Sequence, residues 1–152
     1  MARAQYEVRI RRPIEQVFEF LADGSNNHLW QPRTVHTSQA GPALGAGTSF
    51  RQTTRHPFGF NVSSDYRLTV FDRPHALSLV ATSGSPIRPT ETYTLTEHSG
   101  GDTVLHCTVE YRPVGLARLL TPLLSMINPL FAWEASWIEG VRDVLESLHQ
   151  IS

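Results

Sequence analysis

Six consecutive segments between Thr34 and Tyr111 alternate apolar with polar residues, and they constrain the fold more than any other feature. Side chains that alternate with a period of two point to opposite faces of a strand, so each segment predicts a half-buried β-strand. Turn residues separate the segments, and such short connections favour an antiparallel arrangement. The six predicted strands are Val35–Gln39, Thr48–Arg55, Phe60–Phe71, Ala76–Thr82, Thr90–Thr96 and Thr103–Tyr111.

The segments on either side of this region complete the predicted order of elements. Tyr6–Ile10 also alternates and predicts a first strand, and Pro13 is well placed to open a short helix after it. Asn26–Trp30 predicts a second short helical turn. Leu116–Leu148 changes to a period of 3.6 and predicts one long amphipathic helix, bent near Asn128–Pro129 because proline interrupts helical hydrogen bonding.

Composition limits the kinds of partner and chemistry. The length of 152 residues favours one domain over residues 1–152, and the net charge of −1 gives no indication of a nucleic-acid partner. All 13 basic residues are arginines, so lysine chemistry is excluded, and the single cysteine excludes an intrachain disulfide. We expect no metal or other cofactor and no stable membrane insertion. A cytoplasmic location is the default expectation, since the N-terminus lacks the apolar run of a secretory signal.

The predicted elements imply an internal pocket. Seven strands with one apolar face must bury that face, and the terminal helix is the largest apolar partner that the sequence offers. A strongly twisted antiparallel sheet curls around such a helix and leaves an elongated gap, which the two short helices between strands 1 and 2 can close. The expected α+β fold therefore holds a mostly apolar cavity of the kind that binds small molecules.

Several diffuse patterns resemble one known superfamily. They are Val8–Ile10, Pro13–Phe18, Trp30–Pro32, Phe71–Pro74 and the terminal segment Leu116–Leu148. Together they resemble the START/Bet v 1-like superfamily, specifically its bacterial polyketide cyclase/dehydrase and lipid-transport branch. The resemblance implies a helix-grip fold, in which a seven-stranded curved sheet wraps around a long C-terminal helix. It also implies a hydrophobic small-molecule ligand.

Glu134 and Tyr66 are the candidate catalytic residues. Glu134 lies at the centre of the apolar stripe of the predicted helix, where burial would favour a role as general acid or base, or as an anchor for a ligand hydroxyl. A structural hydrogen bond to a neighbouring polar group is the competing interpretation. Tyr66 shares a strand face with other inward residues, and it is equally compatible with plain core packing. The predicted ligand-binding residues are Trp30, Gln52, Thr54, Tyr66, Glu91, Tyr93, Ile127, Phe131, Glu134 and Ile138.

Three functions are compatible with this sequence. The leading one is a carrier that binds a lipid, sterol, polyketide-like or other hydrophobic or aromatic molecule in the cavity. The resemblance also implies an enzyme of the polyketide cyclase, aromatase or dehydratase type, with Glu134 and Tyr66 moving protons. The third is a protein-interaction module, which an exposed apolar patch at Leu119, Leu120, Leu123 and Leu124 would favour. We expect a monomer or a homodimer.

Overall fold

Seven strands form one antiparallel sheet with the spatial order β1-β7-β6-β5-β4-β3-β2. The structure, a computed structural model, describes residues 2–38, 45–55, 58–84, 86–120, 122 and 137–147. The strands are β1 (Ala2–Ile10), β2 (Thr34–Ser38), β3 (Ser49–Arg55), β4 (Asn61–Asp72), β5 (Ala76–Ala81), β6 (Ile87–His98) and β7 (Asp102–Pro113). All seven predicted strands are present, and most of their boundaries differ from the predicted ones by one or two residues.

Three α-helices accompany the sheet in the described part of the chain: α1 (Ile14–Ala22), α2 (Asn27–Trp30) and α3 (Ile138–Ser147). The apolar side chains of α1 and α3 are buried in one core with the inward residues of the strands. α1 contacts β6 and β7, and α2 contacts α3. The sheet, the two short helices between β1 and β2 and the C-terminal helix confirm the predicted α+β architecture.

A β-bulge reverses the predicted face of the end of β4. The pairing of β4 with β5 shifts register between Leu68 and Val70, where one extra residue interrupts the alternation. An unbroken alternation over the predicted strand Phe60–Phe71 would put Val70 on the same inward face as Leu68, but Val70 is 43% exposed. Phe71 turns inward instead and packs edge-on against Phe18 of α1, with ring centroids 5.3 Å apart. That part of the predicted face is therefore wrong.

The start of β6 also differs from its prediction, which placed it at Thr90. β6 begins at Ile87, because its first residues pair with the end of β7, with Ile87 opposite Pro113. Pro89 lies in this extension without breaking the sheet. The last pair between β5 and β6 is Val80 with Thr90, so Pro89 lies just beyond this ladder, where the missing N–H of a proline is tolerated.

The prediction of a long α-helix is wrong for the beginning of this segment. Gly115–Leu120 forms a 3₁₀ helix, and the described α-helix is α3. A 3₁₀ helix has about three residues per turn, so Leu116 and Leu119 lie on the same side of it. That side faces solvent, since the two residues are 88% and 81% exposed, respectively, instead of packing on the sheet. The predicted bend at Asn128–Pro129 lies outside the described residues.

Polar contacts hold α3 against β1. The hydroxyl of Tyr6 donates a hydrogen bond to Glu139 Oε1 at 2.5 Å, and this bond raises the pKa of the tyrosine. Near the other end of α3, the backbone N–H of Arg11 donates to Glu146 Oε1 at 2.9 Å. These contacts set the position of the α3 face that completes the cavity.

Candidate ligand-binding cavity

A cavity of about 690 Å³ lies between the inward face of the sheet and the beginning of α3. This volume is within the range of small-molecule sites in proteins. Seven of the predicted ligand-binding residues line it, from α2, β3, β4, β6 and α3: Trp30, Gln52, Thr54, Tyr66, Glu91, Tyr93 and Ile138. Ile127, Phe131 and Glu134 lie outside the described residues. Ligand contact at these positions stays a prediction.

Sequence reasoning missed much of the apolar wall. Val109 and Tyr111 of β7 line the cavity, and Ile87 of β6 lies beside them. The inward alternation of β7 is visible in the sequence and would have indicated the first two. Ile87 precedes the predicted strand, so no period-two pattern pointed to it. Trp137 lies just before α3 and also lines the cavity.

Aromatic contacts fix three of the cavity side chains. The ring of Tyr66 stacks on Phe50, the neighbouring inward residue of β3, with centroids 5.5 Å apart and an interplanar angle of 11°. Trp30 packs edge-on against Tyr93 with centroids 6.3 Å apart. Such pairs add to the stability that comes from burying the rings, and they limit the orientations of the side chains. The cavity wall is therefore shaped before any ligand enters.

A buried hydrogen-bond network connects α2 to the sheet and includes Gln52. The side-chain amide of Asn27 donates to Gln52 Oε1 at 3.0 Å, and Gln52 Nε2 donates to Gln31 Oε1 at 2.9 Å and to Thr34 Oγ1 at 3.1 Å. The Thr34 hydroxyl donates to Gln31 Oε1 at 2.6 Å. All four side chains are at most 8% exposed. Gln52 therefore positions α2 at the cavity wall.

Glu91, Tyr93 and Cys107 form a polar cluster on the cavity wall. The Tyr93 hydroxyl donates to Glu91 Oε2 at 3.1 Å, and Cys107 lies opposite Tyr93 in the β6–β7 register. Burial, followed by the charge of Glu91, raises the pKa of Tyr93 well above its usual value. Burial likewise raises the pKa of the Cys107 thiol. Both groups keep their protons at neutral pH, so Cys107 is not a reactive thiolate.

A tight loop forms part of the cavity rim. Gly84 lines the cavity with a φ of +100°, and a Cβ added there would lie 2.9 Å from the Cβ of Ser64. This close approach requires glycine. Ser83 donates a hydrogen bond to Asp65 Oδ2 at 2.9 Å, and Arg51 donates to Asp65 Oδ1 at 2.9 Å. The hydrogen bond from Arg51, followed by that from Ser83, lowers the pKa of Asp65. The two bonds also hold the loop beside β4.

Two kinds of feature are not found in the part of the chain that the structure describes. No three or more of its His, Cys, Asp and Glu side chains are grouped as metal ligands would be. None of its helices has the length and apolar character needed to cross a bilayer.

A curled antiparallel sheet, a C-terminal helix and a cavity between them define the helix-grip class of proteins. The chain belongs to the family described as "Polyketide cyclase / dehydrase and lipid transport", whose model matches residues 1–148. Sequence comparison with curated proteins finds no match.

Similar solved structures share this fold at low sequence identity. A protein from Thermus thermophilus is 17% identical, with a TM-score of 0.74 over 95% of this chain and 98% of that one. A START superfamily protein from Mycobacterium smegmatis is 10% identical, with a TM-score of 0.71 over 94% and 98% of the two chains. The di-domain ARO/CYC protein BexL of the BE-7585A biosynthetic pathway is 16% identical, with a TM-score of 0.65 over 93% of this chain and 48% of BexL.

Proposed function

We propose that this protein binds a hydrophobic or aromatic small molecule, such as a lipid, sterol or polyketide-like compound, in the cavity between the sheet and α3. The observation that carries the proposal is the cavity itself, about 690 Å³ with six aromatic side chains among its described lining residues. The family description, which names lipid transport, supports the same class of ligand.

The wall suits a ligand that is mostly apolar. Val109 and Ile138 are almost fully buried residues of the wall, and Tyr66 and Trp30 add flat aromatic surfaces to it. A hydrophobic guest in this cavity gains roughly 25 cal/mol for each Å² of its own apolar surface that it removes from water. The rigid ring pairs reduce the ordering cost of binding, because the wall needs little rearrangement to accept a guest.

A tryptophan that narrows the cavity tests this proposal. Val109→Trp adds a large ring on the inward face of β7, so we expect the affinity for an environment-sensitive apolar fluorophore to fall at least about threefold. Thr108→Trp is the matched control, since Thr108 is adjacent in β7 and faces the other side of the sheet. Fluorescence titration measures both affinities, and native mass spectrometry counts the bound molecules. Absence of binding by the unmodified protein, or equal affinities in both variants, contradicts the proposal.

A second candidate function is polyketide cyclisation or dehydration. Tyr66 and Glu91 line the same cavity, so a hydroxyl and a carboxylate are available for proton transfer to one bound molecule. The family description also names cyclase and dehydrase activity. Incubation with a linear poly-β-ketone thioester tests it: an active enzyme yields a cyclised product lighter by one water, which heat-denatured protein does not produce. An unchanged thioester with demonstrated binding favours the carrier.

A further inference from the structure

The cavity opens at one end of the sheet. Because neighbouring strands are antiparallel, the β3–β4 turn, the β5–β6 loop and the segment after β7 lie at the same end. The described lining residues that are exposed to solvent come from this end, whereas Tyr93, farther along β6, is buried. The exposed lining residues form the cavity rim, and this end of the sheet is its rim end: Arg55, Phe60, Gly84 and Pro86.

Exposed apolar side chains gather at the rim end. Phe58 and Phe60, in the β3–β4 turn, are 87% and 53% exposed. Leu116 and Leu119, in the 3₁₀ helix after β7, are 88% and 81% exposed. This helix begins beside the rim, since the backbone N–H of Val114 donates to the carbonyl oxygen of the rim proline at 2.8 Å. Exposed apolar surface of this kind marks a site of interaction with a membrane or with another protein.

Arginines lie beside both groups of apolar side chains. Arg55 precedes the β3–β4 turn, and Arg88 and Arg112 lie directly opposite each other where β6 begins and β7 ends. None of the three forms an ion pair with another described residue, whereas Glu110, two positions before the end of this pair in β7, pairs with Arg3. Arginine keeps its charge at neutral pH, and like charges opposite each other on neighbouring strands are unfavourable. An anion bound at the rim end would therefore be stabilising.

The acidic residues are distributed unevenly along the chain. No Asp or Glu occurs between Asp23 and Asp65, in a segment that carries Arg33, Arg51 and Arg55. Of these three arginines, Arg51 pairs with Asp65. The net charge of −1 is thus an average over a basic region around β2 and β3 and an acidic remainder. Local charge of this kind attracts an anionic surface although the chain as a whole is slightly negative.

We propose that the rim end of the sheet docks reversibly on membranes that contain anionic lipids. The exposed phenylalanines and leucines insert between the headgroups, and the arginines beside them bind the phosphates. This inference rests on the proposed carrier function and adds the route of the ligand, which passes between the bilayer and the rim without crossing water. A bilayer fits better than a protein partner, because it covers the apolar side chains and also dissolves the ligand. A protein that covered both apolar groups would block the rim.

Sedimentation with lipid vesicles tests the docking. We expect the unmodified protein to bind phosphatidylglycerol vesicles at least about tenfold more tightly than phosphatidylcholine vesicles, since each arginine near an anionic surface adds to the attraction. Added salt should weaken this preference. Equal binding to the two kinds of vesicle, or binding to neither, overturns the docking and leaves the carrier proposal intact. Failure to bind an apolar fluorophore in the absence of vesicles overturns the carrier proposal instead.

Phe58→Ser separates the docking surface from the cavity, because Phe58 is exposed at the rim end but is not one of the lining residues. Binding to phosphatidylglycerol vesicles should fall about tenfold, while the affinity for an apolar fluorophore in solution stays unchanged. Val70→Ser is the matched control, since Val70 is 43% exposed near the opposite end of β4, and it should leave vesicle binding unchanged. Unchanged vesicle binding of Phe58→Ser, or an equal loss in Val70→Ser, contradicts the assignment.

Arg55→Gln tests the electrostatic part of the docking. Removing one positive charge beside the β3–β4 turn should weaken binding to phosphatidylglycerol vesicles about fivefold. Arg67→Gln removes the same charge from an exposed position within β4, farther from the rim, and should weaken binding by no more than about twofold. Circular dichroism checks that the variants fold. A dimer of the unmodified protein that Phe58→Ser dissociates, seen by size-exclusion chromatography, would assign the surface to a second copy of this chain and overturn the membrane docking.

Discussion

Replacing Gln52 with leucine is expected to lower the free energy of unfolding by about 3 kcal/mol, although the two side chains have similar volumes. The substitution removes three buried hydrogen bonds, to Asn27, Gln31 and Thr34. It leaves the amide N–H of Asn27 without the acceptor that it has in the structure. A lost hydrogen bond costs roughly 1 kcal/mol, and a buried donor left without a partner roughly 1–3 kcal/mol. Chemical denaturation monitored by circular dichroism measures the change.

Thr53→Val is the control for this substitution. Thr53 is adjacent to Gln52 in β3, but its hydroxyl meets that of Ser63 in an exposed pair 3.0 Å apart. Its loss should change the free energy of unfolding by no more than about 0.5 kcal/mol. Because the Gln52 network holds α2, Gln52→Leu should also speed amide hydrogen exchange in Asn27–Trp30. If Gln52→Leu changes the free energy of unfolding as little as Thr53→Val does, then other contacts position α2.

Replacing Gly140 with alanine should destabilise the protein by about 2 kcal/mol, against the direction that helix propensity predicts. Alanine in the interior of a helix is favoured over glycine by about 1 kcal/mol. A Cβ at position 140, however, would lie 2.9 Å from the backbone oxygen of Trp30 and 3.1 Å from its Cβ. Relieving this overlap requires α3 and α2 to move apart, and overpacking of this kind costs roughly 1–3 kcal/mol or more. Thermal and chemical denaturation show directly whether the substitution stabilises or destabilises the protein.

Asp143→Ala supplies the comparison on the exposed side of α3. Asp143 accepts hydrogen bonds from the side chain of its neighbour Arg142, and such surface contacts contribute little. Alanine there should change the free energy of unfolding by no more than about 0.5 kcal/mol. Because Trp30 and Ile138 both line the cavity, Gly140→Ala should in addition weaken fluorophore binding. A stabilised Gly140→Ala protein with unchanged binding contradicts the close packing of α2 and α3.

The strand periodicity was the most reliable predictor, and its errors have local causes. A period of two depends on an unbroken ladder, so the bulge between Leu68 and Val70 displaced Val70 outward and Phe71 inward. The extension of β6 through Pro89 depended on where its pairing with β5 ends, which is a property of the neighbouring strand. The helical wheel assumed about 100° per residue from Leu116 onward, and it failed where the backbone adopts a 3₁₀ helix instead.

The candidate site was predictable to the extent that it follows from alternation. Tyr66, Glu91 and Tyr93 were expected to point inward from their places in strands, and all three line the cavity. The hydrogen bonds of Gln52 join residues up to 25 positions apart, and no local pattern indicates which of them meet. The same holds for the contact between Glu91 and Tyr93, since alternation places both side chains on one face without saying that they bond.

The sequence by itself determined the succession of strands along the chain, the class of fold and the apolar character of the inward face. Periodicity and turn residues act over a few neighbouring positions, so the sequence shows them directly. Only the tertiary structure decided the size of the cavity, the network that fixes α2 and the grouping of exposed apolar side chains at the rim end of the sheet. These features depend on which distant segments meet and how closely they pack, as the approach of Gly140 to Trp30 illustrates. Interiors pack densely, so the space left for a ligand is a small difference between the positions of many elements.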